Sequence, residues 1–319
     1  MATAFITCSR CERHAVGESH PEQPARLDAI ASALRDRGVW TQLSHVDAAA
    51  VTREQLERVH DPAYLDEIER VAPAKGVVYL DGDTVMNRDS LAAARDAAGA
   101  VVVATDAVLG GRVRNAFCNV RPPGHHAEHD RAMGFCIFNN VAVGVAHAVG
   151  YHRLWRVAVV DFDVHHGNGT EDIFQNREEV LLCSTFQHPF YPYSAAHSPT
   201  DNVVKVPLAA GTGSDMFRQR VTDVILPALR VFRPQVVFFS AGFDAHRDDP
   251  LANLCLTEDD YAWITRAVMD VTAQWSHGRV VSTLEGGYDL RALGSAAAAH
   301  IGVLLEAGAS RAIDPTINK

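Results

Sequence analysis

Short apolar, β-branched runs alternate with longer Ala-rich stretches through the middle and C-terminal parts of the chain. The runs 114–120, 156–162, 180–185, 235–240 and 279–284 have the length and side-chain character of buried strands. Between and around them, 90–109, 139–147, 215–231, 258–274 and 290–305 are of helical length and composition. Buried apolar strands spaced by helices predict an α/β fold, a mostly parallel sheet with helices on both faces. No Pro-, Ser- or Gly-rich linker, charge run or internal repeat divides the sequence, so one domain is expected over 1–319.

The polar residues are not spread evenly over this pattern. Segments 121–126, 161–170, 240–246 and 285–288 each follow the carboxyl end of an expected strand. In open parallel α/β sheets that edge forms the ligand crevice. Four segments far apart in sequence are therefore expected to meet at one site.

Composition narrows the function classes. With 319 residues and 47% hydrophobic content, the chain can bury a large core. A formal net charge of −10 argues against binding a phosphate backbone and is compatible with a cationic or amine-bearing substrate. Met1 to Arg10 lacks a basic region followed by an apolar stretch, and the apolar run 97–105 is too short to span a bilayer. The expectation is a cytoplasmic protein without nucleic-acid or membrane partners. Six cysteines in a chain of this length do not form a disulfide-scaffold pattern. Cys8 and Cys11 form a lone C-x-x-C with no second pair to complete a zinc site, and read as incidental.

Asp161, Asp163 and His165 alternate, so an extended strand end would point them to one side. Carboxylate and imidazole together suit a borderline-soft divalent metal, and Asp244 on another strand can supply a third ligand. Three protein ligands with an open position describe a catalytic zinc site. Any one of these residues alone could be a turn former or a hydrogen-bonded core group. Together they place ionisable groups at a ligand edge where burial needs compensation.

Arg121-Pro122-Pro123-Gly124-His125-His126 fixes a rigid loop presenting two adjacent imidazoles. They can act as an acid–base pair, with Asp161 available behind the first; the competing reading makes them further metal ligands. Glu285-Gly286-Gly287-Tyr288 allows a tight turn that brings Tyr288 over the site. Its hydroxyl could donate to a developing oxyanion, or the ring could simply cap the sheet.

Together these segments resemble the histone deacetylase family, with its relatives the acetylpolyamine amidohydrolases and acetoin-utilisation proteins. The stretches 121–126, 134–140, 161–170, 240–246 and 284–288 carry the likeness, with weaker echoes at His20-Pro21-Glu22, Arg26 and 60–64. It runs from about residue 20 to about residue 305. The resemblance implies the arginase/deacetylase fold and one catalytic zinc on Asp163, His165 and Asp244. Arginases need a second metal and a further carboxylate, whereas Gly167 and Asn168 follow His166 here. It also implies His125 and His126 as the acid–base pair, Asp161 behind His125, Asn168 behind His126 as in the class II branch, and Tyr288 on the scissile carbonyl. Gly134, Phe135 and Tyr191 would line a tunnel for acyl-lysine methylenes. Leu251 stands where a polyamine-selective branch carries an acid, which favours acyl-lysine. A structural potassium ion would draw on Asp161, Asp163, His165, Ser184 and Thr185, and a second on Phe174 and Val180. The implied reaction is hydrolysis of the N-acetyl amide of a peptide or small-molecule acyl-amine; a metabolite amidase or a non-catalytic binding module are the alternatives.

Overall fold

The structure is a computed structural model describing residues 2–17, 20–194, 196–197 and 200–309. Strands are numbered in chain order: β1 (Thr3–Thr7), β2 (Leu43–Asp47), β3 (Val77–Tyr79), β4 (Val85–Asn87), β5 (Asn115–Asn119), β6 (Val157–Asp161), β7 (Val180–Gln187), β8 (Val203–Leu208), β9 (Val236–Ala241) and β10 (Val280–Leu284). Eight form one sheet in the order β2-β1-β5-β10-β9-β6-β7-β8, every pair parallel. β3 and β4 form a small antiparallel hairpin apart from it.

The central strands β5, β6, β9 and β10 are buried at every position, because helices cover both faces. Neighbouring residues of one strand point to opposite faces. Phe238 of β9 lies beneath Gly144 of helix Asn140–Gly150, which packs with helix Ser90–Leu109. Phe239, one residue on, packs against His300 of helix Leu290–Ala309. Helices Ala25–Asp36 and Glu258–Ser276 flank the latter. Leu290–Ala309 has the length and apolarity of a bilayer-crossing helix, but 61% of its most apolar window is buried inside the fold.

Each of the five strands expected from the hydrophobic pattern is present, with ends shifted by a residue or two. Strands β1, β2 and β8 were not anticipated. β2 and β8 are the sheet's edges; β2 is buried only at Leu43, and the apolar run of β8 is interrupted by Lys205 and Pro207. The helix expected over 215–231 is observed as Ser214–Arg220, a π turn at Val221–Ile225, and Leu226–Phe232. Pro227 lacks an amide hydrogen and crowds the carbonyl four residues earlier, which accounts for the widened turn before it.

The reading of Cys8 and Cys11 as incidental is corrected. They are joined as a disulfide, brought to a Cα separation of 5.4 Å by the turn through Ser9 and Arg10, in which the Cys11 amide donates to the Cys8 carbonyl at 3.2 Å. Cys118, Cys136, Cys183 and Cys255 are free.

Candidate active site

The four motif-bearing strands are contiguous in the sheet, in the order β5-β10-β9-β6. Being parallel, they deliver all four following loops to one edge. That placement brings Asp163, His165 and Asp244 together, with one ligand-type atom from each within 4.8 Å of the others.

They do not meet by continuing a strand. β6 stops at Asp161, whose Oδ1 accepts the Asp163 amide at 3.1 Å, a local side-chain turn that ends the extended run. The three alternating residues therefore separate: Asp161 goes to the histidine loop, and Asp163 and His165 go to Asp244. His165 Nδ1 lies 3.0 Å from Asp163 Oδ1 and 3.3 Å from Asp244 Oδ2. Backbone amides orient the acids: Gly286 donates to Asp163 Oδ2 (2.8 Å) and Val164 to Asp244 Oδ1 (2.9 Å).

These residues fit a divalent metal. Asp163 and Asp244 are buried, and Asp244 Oδ2 has no hydrogen-bond partner among the described residues. Burial lowers the basicity of His165, but Asp163 and Asp244 outweigh it and hold the imidazole pKa at about 10, a sign that the pocket calls for positive charge. A Cβ on Gly242 would overlap Asp163 Oδ2, and one on Gly286 would overlap Asp244 Oδ2. The backbone thus approaches the carboxylates as only glycine permits.

His125 and His126 stand beside this cluster with ring centroids 4.1 Å apart. His125 Nδ1 is 2.9 Å from Asp161 Oδ2, and His126 Nδ1 is 2.7 Å from Asn168 Oδ1. Asn168 Nδ2 donates to Glu128 Oε1 (2.7 Å), so its oxygen must be the atom facing His126. His126 Nδ1 therefore carries a hydrogen and its Nε2 keeps a lone pair. Burial disfavours charge on both rings. For His125 the Asp161 and Asp163 carboxylates overcome it and raise the pKa well above the ordinary imidazole value. For His126, burial and then the neighbouring His125 and His165 drive the pKa well below it.

Tyr288 is buried, with its ring edge-on to Phe135 at 5.9 Å and the Arg26 guanidinium 5.0 Å from its centroid. Gly134 lies against His126 so closely that a Cβ would overlap the imidazole, and Phe135 adopts a left-handed backbone (φ 68°). The Phe135 amide is held by Thr84 Oγ1 at 3.1 Å. Tyr191 stands edge-on to His126 (5.2 Å) and His165 (5.9 Å). Leu251 lies on an exposed loop, its amide donating to Asp249 Oδ1 at 3.0 Å.

Ser184 is opposite Asp161 in the β6–β7 register and lies 3.0 Å from His166 Nδ1, with Thr185 buried beside it. The Phe174 and Val180 carbonyls accept from the Asn202 side-chain amide, at 2.8 and 3.1 Å.

Several residues that shape the site escaped the motif reading. Phe190 stacks on His165 at 5.4 Å and 18°. Glu285 Oε2 accepts the Gly124 and His125 amides (2.7 and 3.1 Å), fixing the histidine loop; burial pushes its pKa up to about 7. Glu22 binds Arg121 through both carboxylate oxygens and Arg26 at 3.1 Å, while Arg26 reaches the Glu285 and Gly287 carbonyls. Asp249 Oδ2 accepts the Tyr288 amide at 2.7 Å. The only hint in sequence was that Glu285 and Glu22 sit inside motifs; which amide or guanidinium each serves depends on loops meeting in space.

An arginase/deacetylase α/β fold with a carboxylate–imidazole cluster and paired histidines at the carboxyl edge of its sheet defines a class of metal-site hydrolases. The histone deacetylase domain matches residues 20–304, and the chain belongs to that family. It is 39% identical over 310 residues to a histone deacetylase-like amidohydrolase of Pseudomonas aeruginosa, covering 90% of this chain and 81% of that one. A probable deacetylase of Archaeoglobus fulgidus is 32% identical over 303 residues, with 91% and 82% covered. The crystal structure of the HDA15 HD domain superposes with a TM-score of 0.89 at 38% identity, covering 96% of this chain and 89% of that one.

Proposed function

We propose that the chain is a zinc-dependent deacetylase that hydrolyses the N-acetyl amide of acyl-lysine or a similar long amine. The observation that carries this is the opposed environment of two touching imidazoles beside a three-ligand cluster. His125 is held charged by carboxylates, and His126 is held neutral with its Nε2 lone pair free.

Asp163, His165 and Asp244 would hold the metal, which when bound supplies a Lewis acid for the acetyl carbonyl and acidifies a water. His126 Nε2, with its lone pair free, is placed to take a proton from a water molecule that attacks the acetyl carbon. His125, protonated against Asp161, stabilises the negative charge that builds up. The Tyr288 hydroxyl, kept protonated by burial, donates to the developing oxyanion. As the C–N bond breaks, the proton on His126 passes to the leaving nitrogen, giving acetate and the free amine. Phe135 and Tyr191 would flank the methylenes of the substrate, where excluded water favours an unbranched alkyl chain. A potassium ion near Asp161 and Ser184 belongs to the same reading.

An acetylated polyamine is the second reading, favoured by acids near the aromatic residues. Asp83 is half-buried, its carboxyl raised by burial and by Asp81, and both acids act on the Tyr191 hydroxyl. Leu251 favours acyl-lysine instead. The test compares zinc-loaded enzyme on acetyl-lysine and trifluoroacetyl-lysine peptides with acetylputrescine and acetylspermidine, using His126→Ala as control. Faster peptide turnover, lost in the control, supports the first reading. Faster polyamine turnover replaces it with the second, and no turnover on any substrate overturns both.

A further inference from the structure

Two imidazoles and a carboxylate converge at a second place, where helix Ser90–Leu109 packs on the carboxyl end of helix Asn140–Gly150. Asp106 Oδ1 lies 2.8 Å from His147 Nε2 and 2.7 Å from His152 Nε2, and the three ligand-type atoms all fall within 4.8 Å of one another. None of these residues touches the catalytic cluster or belongs to the motifs that identify the family.

The fold presets this convergence. His147 is in the last turn of its helix, and the Tyr151 and His152 amides both bond back to its carbonyl (2.9 and 3.3 Å). That turn carries His152 round to the same carboxylate oxygen. Tyr151 stacks on the His147 ring at 4.9 Å and 10°, fixing its plane. His147 is buried, whereas the side chains of His152 and Asp106 are 21% and 38% exposed, so a fourth position faces solvent.

We propose that Asp106, His147 and His152 form a second divalent-metal site for a borderline-soft cation of the zinc type, separate from the catalytic cluster. Two imidazoles and one carboxylate are a donor set for such an ion, with the exposed side left for water.

One neighbour must adjust. Arg58 Nη1 lies 3.2 Å from His147 Nδ1, so the hydrogen of His147 is on Nε2 in the hydrogen-bonded triad. Metal on Nε2 moves that hydrogen to Nδ1 and displaces the guanidinium, which already reaches Glu54 Oε1 at 3.1 Å on the exposed side. The site thus competes with Arg58, and removing that charge should tighten it.

Chelator-stripped full chain is equilibrated with Zn²⁺ alone, and bound metal is measured by elemental analysis after dialysis. The expected result is two equivalents for the wild type and one each for His152→Ala and Asp244→Ala. Cobalt substitution of Asp244→Ala should retain visible absorption that His152→Ala/Asp244→Ala loses. Arg58→Gln should bind the second equivalent more tightly than the wild type, because a guanidinium beside a ligand opposes the charge of the ion. If His152→Ala holds as much metal as the wild type, the proposal is overturned. If the wild type holds one equivalent that survives Asp244→Ala but not His152→Ala, this site stands and the catalytic metal reading fails. His152→Ala with its catalytic metal should hydrolyse substrate at the wild-type rate.

Discussion

At the scale of single residues, the site depends on atoms that are absent as much as on those present. Gly286 donates its amide to Asp163 while leaving the space a Cβ would take from Asp244 Oδ2. Gly286→Ala should therefore weaken zinc binding by about 10–100-fold, the usual cost of disturbing the groups that orient metal ligands. Titration with a chromophoric zinc chelator, alongside a circular dichroism spectrum, checks this; unchanged affinity would remove the close-approach argument. Tyr288 makes the opposite case, where a single oxygen is needed. Tyr288→Phe keeps the ring between Phe135 and Arg26 and should lower kcat by about 10²–10³ with little change in zinc content. A Phe variant turning over at the wild-type rate would take the hydroxyl out of the mechanism.

At the scale of elements, a helix start and a catalytic loop share one side chain. Asn139 Oδ1 accepts the Ala142 amide at 3.0 Å and caps helix Asn140–Gly150. Its Nδ2 donates to the Ala127 carbonyl (3.1 Å), directly after the paired histidines, and to Thr170 Oγ1 (3.2 Å). Asn139→Ala should cost about 1–2 kcal/mol in a urea unfolding experiment, at the upper end for a cap because buried partners lose their donor. A loss below a few tenths of a kcal/mol would show that water replaces the amide.

At the scale of the whole molecule, His300 joins elements that are distant in sequence. Its Nε2 meets Ser282 Oγ of β10 at 2.9 Å and its Nδ1 meets Thr265 Oγ1 of helix Glu258–Ser276 at 2.6 Å. Phe117, Phe162, Phe239 and Phe243 surround the ring. Burial lowers its pKa to about 3. The folded state therefore binds this proton less readily than the unfolded chain, whose histidine titrates near 6.5. The stability it contributes is complete above about pH 6.5 and is lost as pH falls from there towards 3, about 2 kcal/mol by pH 5. Buried His60, lowered to about 4, adds a loss of the same sign. Unfolding free energies at pH 7 and pH 5 should differ less in His300→Gln than in the wild type; equal differences would exclude this histidine as a source of acid sensitivity.

The hydrophobic pattern was enough to read the centre of the sheet, because strands buried on both faces must be apolar at nearly every position. It also placed the chemistry at one edge, since parallel strands deliver their following loops to the same side. The family was legible for a related reason: its motifs are short, ordered and local, and each needs particular residue types at fixed spacing. Edge strands β2 and β8 were not legible, because β2 is buried only at Leu43 and so carries little constraint towards apolar residues, and β8 is interrupted by Lys205 and Pro207. Nor was the pairing of Cys8 with Cys11, which depends on the chain turning back through Ser9 and Arg10. Which acid serves which group was decided only in three dimensions. Asp161 turns to His125 rather than to Asp244, Glu285 holds the histidine loop, and Asp106 gathers two imidazoles from another helix end. Sequence determines these through the relative placement of several elements at once, and hydrogen bonds reach only a few ångströms, so their partners become defined when the sheet and its helices have packed.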